Sequence, residues 1–210
     1  MSQVSLIESI RLFLRPFEMD DCEAMLEYQS NPEVVRYIPW PVRNASMVQE
    51  ALAKAIHQTK LDTQGDYLSL ALVSKRDGKL IGQMNAMYLS EKDQCGEIGY
   101  VVNPKFTGHG FATEASRALI SAMFDTNQFR RVIASFDDRN IASRAVVEKL
   151  GFREEAHFIE DDFFKGEWIS TMVYATLHHE WVRSLTDPAF HPTDHSDFTR
   201  PIRHHRTDYI

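Results

Sequence analysis

Gly96 to Phe124 reads GEIGYVVNPKFTGHGFATEASRALISAMF, a strand, a glycine-rich turn and a helix in one run. From Glu97 to Val102 the side chains alternate: Ile98, Tyr100 and Val102 share one face, and Glu97, Gly99 and Val101 the other. Asn103-Pro104 ends the strand, because proline has no N–H to give to a ladder. From Phe111 onward Ala115, Ala118, Leu119, Ala122 and Met123 recur at helical spacing. Between strand and helix stands Thr107-Gly108-His109-Gly110-Phe111-Ala112. A helix leaves about four N–H groups unpaired in its first turn and carries roughly half a positive charge there. Glycines at 108 and 110 remove the Cβ atoms that would hold a phosphate away from those groups. The turn therefore reads as a diphosphate cradle, with an ordinary strand-to-helix turn as the alternative. No G-x-x-x-x-G-K-[ST] occurs, and the sixth position of a G-x-G-x-x-G frame is Thr113, so neither a P-loop nor a Rossmann site is expected.

At 210 residues the chain suits one domain with a substantial core. Its 43% hydrophobic and 25% charged content are ordinary globular values. No run of about 18 apolar residues exists, so no membrane span is expected. The start, MSQVSLIESIRLFLRPF, lacks the basic-then-apolar pattern of a secretory signal. Cys22 and Cys95 stand far apart without metal-ligand spacing, which fits two reduced thiols in a cytoplasmic protein. A formal charge of −7 disfavours nucleic-acid binding and steers cations toward the surface.

Elsewhere, Ile10 to Phe17 alternates as a first strand. Asp20 with Glu23 is expected to cap a helix, Asn31-Pro32 interrupts it, and Ile38-Pro39-Trp40-Pro41 is a loop whose aromatics line a pocket or pack on the core. Ser46 with Gln49 is expected to cap the next helix, striped by Val48, Leu52, Ala55 and Ile56. Tyr67–Ser74, a turn at 76–79, Leu80–Leu89 and the strand of Glu97 form an antiparallel meander. Arg130–Phe136 is a further strand. Asn140 then caps a helix with Ser143 in its first turn and Ala145, Val146 and Leu150 on its buried side, ended by Gly151. Phe152–Ile159 and Trp168–Leu177 pair around Lys165-Gly166. Residues 1–183 form the domain. Residues 184–210 are a polar tail, flexible or laid on the surface, whose His191, His195, His204 and His205 match no standard metal spacing.

The combination GEIGYVV, TGHGFATEA and NIASRAVVEKLGF resembles the GNAT superfamily of acetyl-CoA-dependent N-acetyltransferases. The early RLxLRPF and the late FKGEW followed by Tyr174 resemble its ribosomal-protein N-terminal acetyltransferase (Rim-type) branch. The resemblance implies an α+β fold: a mixed, mostly antiparallel sheet of about seven strands flanked by about four helices, with the cofactor where the fourth and fifth strands splay. It implies acetyl-CoA as donor, no metal, and a monomer or homodimer. The family's turn reads [QR]-x-x-G-x-[GA]; Gly110 and Ala112 match, while Thr107 stands where Arg or Gln is usual. The implied cofactor contacts are Tyr100, Val101 and Val102, then Thr107, Gly108, His109, Gly110, Phe111 and Ala112, with Asn140 and Ser143 at the second helix.

The resemblance also implies roles in catalysis. Glu97 maps to the branch's base. Ser143 maps to the group that protonates the departing thiolate, since the Tyr many relatives place seven residues after the Asn is here Val147. Direct attack of a primary amine is expected, with no acyl-enzyme. An α-amine has a pKa of about 7.7–8.0 against about 10.4 for lysine, roughly 3.5 kcal/mol easier to deprotonate near neutrality. A peptide or protein N-terminus is therefore the first expectation. A small-molecule amine (polyamine, antibiotic, amino acid) or a non-catalytic acyl-CoA-binding module are the alternatives.

Overall fold

A computed structural model of the chain describes residue 4 and residues 6–126 and 128–187. The first layer is β1 (Ile7–Glu8), β2 (Leu12–Pro16), α1 (Cys22–Gln29), α2 (Pro32–Val35) and α3 (Ala45–Ala55). The meander β3 (Tyr67–Ser74), β4 (Leu80–Ser90) and β5 (Cys95–Val102) leads into α4 (Phe111–Asp125). Then come β6 (Arg131–Asp137), α5 (Ile141–Lys149), β7 (Arg153–Phe164), β8 (Glu167–Leu177) and α6 (His178–Thr186). Eight strands form one sheet in the order β1-β2-β3-β4-β5-β6-β8-β7. Every pairing is antiparallel except β5 with β6.

The alternation along the strands divides the sheet into two faces. Leu68, Leu70, Leu72, Met84, Ala86 and Ile98 pack against Ala115, Leu119, Ile120 and Met123 of α4, with Val147 and Trp181 beside them. Ala71, Val73 and Val101 on the other face meet Met25 and Tyr28 of α1 and Val48, Leu52 and Ala55 of α3. Burying each of the larger side chains stabilises the fold by about 1.5–3 kcal/mol, so both helical layers are held to the sheet by apolar area.

The sheet opens at one place. β5 and β6 pair only at Cys95↔Arg131, Gly96↔Val132 and Glu97↔Ile133. Beyond Glu97, β5 continues against β4 alone as far as Val102, and β6 against β8 alone as far as Asp137. The expected α+β architecture and the splay of two neighbouring strands are thus present, with β1 and two short helical segments in addition.

Some local expectations are corrected. The capping carboxylate of the first helical segment is Asp21, not Asp20. It accepts the Glu18 N–H at 2.8 Å and both Arg15 guanidinium nitrogens at 2.8 Å, a fork that no neighbouring acid matches. Asn44, not Ser46, caps α3, accepting the Met47 N–H at 3.0 Å; the helix begins at Ala45, so Ser46 already lies inside it. On α5 the fully buried residues are Val147 and Leu150, while Ala145 and Val146 are half-buried, because the helix is turned to put residue 147 into the core. α6 runs to Thr186, past the compositional boundary at 184. His191, His195, His204 and His205 lie outside the described residues. No described helix is long and apolar enough to cross a membrane.

A Cβ placed on Gly82 of β4 would stand 2.2 Å from the Val101 carbonyl oxygen and 3.0 Å from Val102 Cα. Both are backbone atoms of β5, which moves only by opening the ladder. Gly82→Ala should therefore cost about 1–3 kcal/mol, a fall of ~2–4 °C in Tm for each kcal/mol in a chain of this size. Thermal unfolding that leaves Tm unmoved would contradict this packing of β4 on β5.

Candidate active site

Glu97 is the last residue of β5 paired to β6, so its side chain stands at the apex of the opening. Cross-strand register puts it in a row with Met87 of β4 and Tyr67 of β3 on the α1/α3 face. There it lines a cleft of about 270 Å³ with Trp40, Tyr67, Asn85, Ser135 and Ser143 among its walls. Burial pushes the Glu97 carboxyl above the ordinary carboxylate range; the neighbouring Ser135 side chain and backbone oppose that shift without cancelling it. The Tyr67 phenol is pushed up to about 12, first by burial and then by the negative charge of Glu97. A carboxylate of raised basicity beside neutral polar groups is suited to take a proton from an amine.

The unpaired edge of β5 forms one wall of the opening. Asn103 N–H bonds to Ile81 of β4, while the Gln94 carbonyl accepts from Arg130 and Arg131 on the β6 side. N–H and C=O of one strand residue point the same way and alternate along the chain, so Ile98, Tyr100 and Val102 turn their backbone groups to the opening. Val101 contributes to the cleft wall, but its backbone groups face β4. Ile98, which is not among the expected contacts, lies one residue past the apex with its backbone groups on the opening.

Across the opening stands α5. Asn140 Oδ1 accepts the Ser143 N–H at 3.1 Å, the expected cap, and no protein acceptor takes its NH2 group among the described residues. Tyr100 donates its hydroxyl to the Ser143 carbonyl at 3.1 Å, joining β5 to α5 over the gap. Burial raises that phenol to about 12, against the Ser143 side-chain hydrogen bond. Val147, one turn further, is fully buried in the main core and faces away from the cleft.

The glycine turn lies beyond the C-terminal end of β5 and does not line the cleft. Gly108 and Gly110 both have φ +79°, a left-handed conformation that side chains other than glycine resist. No side chain caps α4, so its first N–H groups are left to a ligand. Thr107 is committed locally: its hydroxyl donates to the Pro104 carbonyl at 3.0 Å and so does not take the part of the missing Arg or Gln. His109 Nδ1 lies 2.8 Å from the Thr107 carbonyl and its ring stacks on Phe111.

A cation does stand at this turn. Arg11, at the start of β2, lies over the Phe111 ring at 4.5 Å and beside Gly110, its Nη2 3.7 Å from where a Cβ there would be. Its Nε and backbone N–H each bond a Glu114 oxygen at 2.6 Å, and Ser9 Oγ adds a bond of 2.7 Å. Burial raises the Glu114 carboxyl, but these bonds outweigh it and hold the group below its usual range. Sequence reasoning met Arg11 only as part of RLxLRPF; its partner lies over a hundred residues away. Among the described residues no cluster of three or more His, Cys, Asp or Glu is placed to hold a metal ion.

The acetyltransferase (GNAT) domain profile matches residues 11–153, more than half of the chain. The uncharacterized N-acetyltransferase YnaD of Bacillus subtilis (strain 168) is 31% identical over 175 residues, covering 83% of this chain and 98% of that protein. The fold is shared with a ribosomal L7/L12 α-N-protein acetyltransferase solved with coenzyme A, at TM-score 0.72 and 19% identity, over 82% of this chain and 98% of that one. It is shared too with the Vibrio cholerae spermidine N-acetyltransferase solved with CoA and spermine, at TM-score 0.69 and 18% identity, over 82% of this chain and 98% of that one.

Because the Ser135 hydroxyl holds the Glu97 carboxyl down against burial, Ser135→Ala should move that pKa further up. A carboxyl NMR titration of the two proteins reads this directly. A Glu97 resonance that titrates identically in both would remove Ser135 from the carboxylate.

Proposed function

Since the chain belongs to the acetyltransferase (GNAT) family, we propose that it moves the acetyl group of acetyl-CoA onto the α-amine of a peptide or protein N-terminus by direct attack. Acetyl-CoA supplies an activated acyl group on a thiolate leaving group. The residues fit that donor: the N–H groups from Gly108 to Ala112, with the Arg11 guanidinium, face a diphosphate, and the open backbone of Ile98, Tyr100 and Val102 gives an extended amide arm a strand edge to pair with. The Asn140 NH2 adds a donor from α5.

The carrying observation is Glu97 at the apex, where the free edge of β5 and the α1/α3 cleft meet. Glu97 accepts the ammonium proton, leaving the amine lone pair to form the C–N bond as the C–S bond breaks. The Ile98 N–H, turned to the opening, stabilises the developing oxyanion. Ser143 gives its proton to the thiolate and takes in exchange the second proton that the nitrogen sheds as it becomes an amide. The buried Val147 leaves that helix no other hydroxyl on the cleft. A weaker base suffices for an α-amine than for lysine, which favours the N-terminal acceptor. A polyamine acceptor is the second reading, favoured by the formal charge of −7.

Thiol release from acetyl-CoA with a panel of N-terminal peptides and polyamines tests the proposal; donor binding without release from any acceptor would leave only a binding module. Glu97→Gln should lower kcat/KM by about 10²-fold or more with acetyl-CoA affinity kept. In the parent enzyme activity should be lost as pH falls through the Glu97 pKa, above the usual carboxylate range, and that limb should vanish in the variant. A variant of undiminished rate and unchanged profile removes Glu97 as base. Arg11→Met should weaken acetyl-CoA binding about tenfold by calorimetry, or roughly 1.4 kcal/mol; equal affinity would confine Arg11 to tying β2 to α4.

A further inference from the structure

A second cavity of about 210 Å³ opens on the α1/α3 face and shares Trp40, Tyr67 and Asn85 with the cleft of Glu97. Its floor is a connected polar network unusual for a sheet face under two helices. Ser69 Oγ donates to Asn85 Oδ1 at 3.1 Å, and Tyr28 Oη and Gln29 Nε2 each donate to Gln83 Oε1 at 3.0 Å. Gln29 Oε1 in turn accepts from Arg43 Nη1 at 2.8 Å. Arg43 is half-buried, lies over the Trp40 ring at 4.7 Å, and burial lowers its pKa. No carboxylate among the described residues pairs with it; only the Tyr28 and Tyr67 phenols offset the burial. Lys54 adds a second cation at the rim. The Trp40 indole N–H is buried with no hydrogen-bond partner among the described residues.

A half-buried guanidinium without a carboxylate partner, beside an unpartnered indole N–H, gives this cavity positive charge and no negative charge on its described walls. We infer that this cavity is the distal half of the acceptor site and recognises an anionic group, carboxylate or phosphate, carried by the acceptor and bound through Arg43. The inference rests on acetyl transfer at Glu97 and names the acceptor's chemistry. Glu97 and Tyr67 are separated by one intervening strand, roughly 10 Å, and the cavity begins beyond Tyr67. An extended peptide advances about 3.3 Å per residue, so an amine at Glu97 brings the side chain of the second or third residue to Arg43. Two cations at this end repel a polyamine, whatever the overall charge of the chain.

The test uses tripeptide amides of one N-terminal residue, with glutamate, phosphoserine, glutamine or lysine third; the amide removes the terminal carboxylate. Binding is measured by calorimetry with the full chain, and turnover by thiol release. Glutamate or phosphoserine should bind at least about tenfold tighter than glutamine, the stronger of the two identifying the anion. Arg43→Gln should abolish that advantage while keeping glutamine-peptide binding and acetyl-CoA affinity. Arg43→Glu should turn the preference to lysine. Equal binding of charged and neutral peptides to the parent chain, or an acidic preference that survives Arg43→Gln, overturns the inference. Anion-selective binding without thiol release would uphold the subsite and defeat the transferase proposal, so the two fail separately.

Discussion

Three residues of parallel pairing between β5 and β6 govern the molecule. Were the ladder to continue, the groups of Ile98, Tyr100 and Val102 would be used up inside the sheet and no slot would exist between the strands. Were it shorter, Glu97 would lose the neighbour that holds it at the apex. An opened sheet sacrifices hydrogen bonds, each worth about 0.5–1.5 kcal/mol net. The fold tolerates this because each strand keeps its other partner: β5 is paired with β4 along its length, and β6 with β8 from Arg131 to Asp137. The Tyr100 hydroxyl on the Ser143 carbonyl then ties the free part of β5 to α5, the helix that follows β6.

One local and one long-range ion pair tie the N-terminal strand to its neighbours. Arg15, in β2, reaches Asp21 at the start of α1, and Arg11, just before β2, reaches Glu114 of α4. Neither pair is fully exposed, so neither belongs with surface pairs of negligible worth. Their placement has a consequence for the turn: Glu114 fixes the guanidinium beside Gly110, supplying a positive charge from another strand where Thr107 supplies none.

What could be read from the sequence was what is encoded in period and punctuation. β3 was legible to its end residues because Tyr67–Ser74 is an apolar run between turn signals, and Asn140 because a capping amide acts within three residues. Asp21 and Asn44 were misread since several neighbours offered equivalent caps, and the choice fell to Arg15 in one case and to reach in the other. Arg11 at Glu114 and Arg43 at Gln29 were not legible, because nothing local says which distant element a charged side chain meets. The second cavity is assembled from α1, α3, β3 and β4 and has no linear signature.

The rotation of α5 ties core packing to chemistry. Residues 143, 147 and 150 fall within one side of a helix of 3.6 residues per turn. Sinking Val147 and Leu150 into the core therefore turns Ser143, which lies between them in angle but in the first turn, toward the same side, where it meets Tyr100 and the cleft. A phenol at 147 would have to occupy the volume of a fully buried valine, among close-packed neighbours that leave no room for a ring. The same packing that denies a hydroxyl at 147 aims the one at 143. Core complementarity thereby selects which residue of α5 can present a hydroxyl to the cleft.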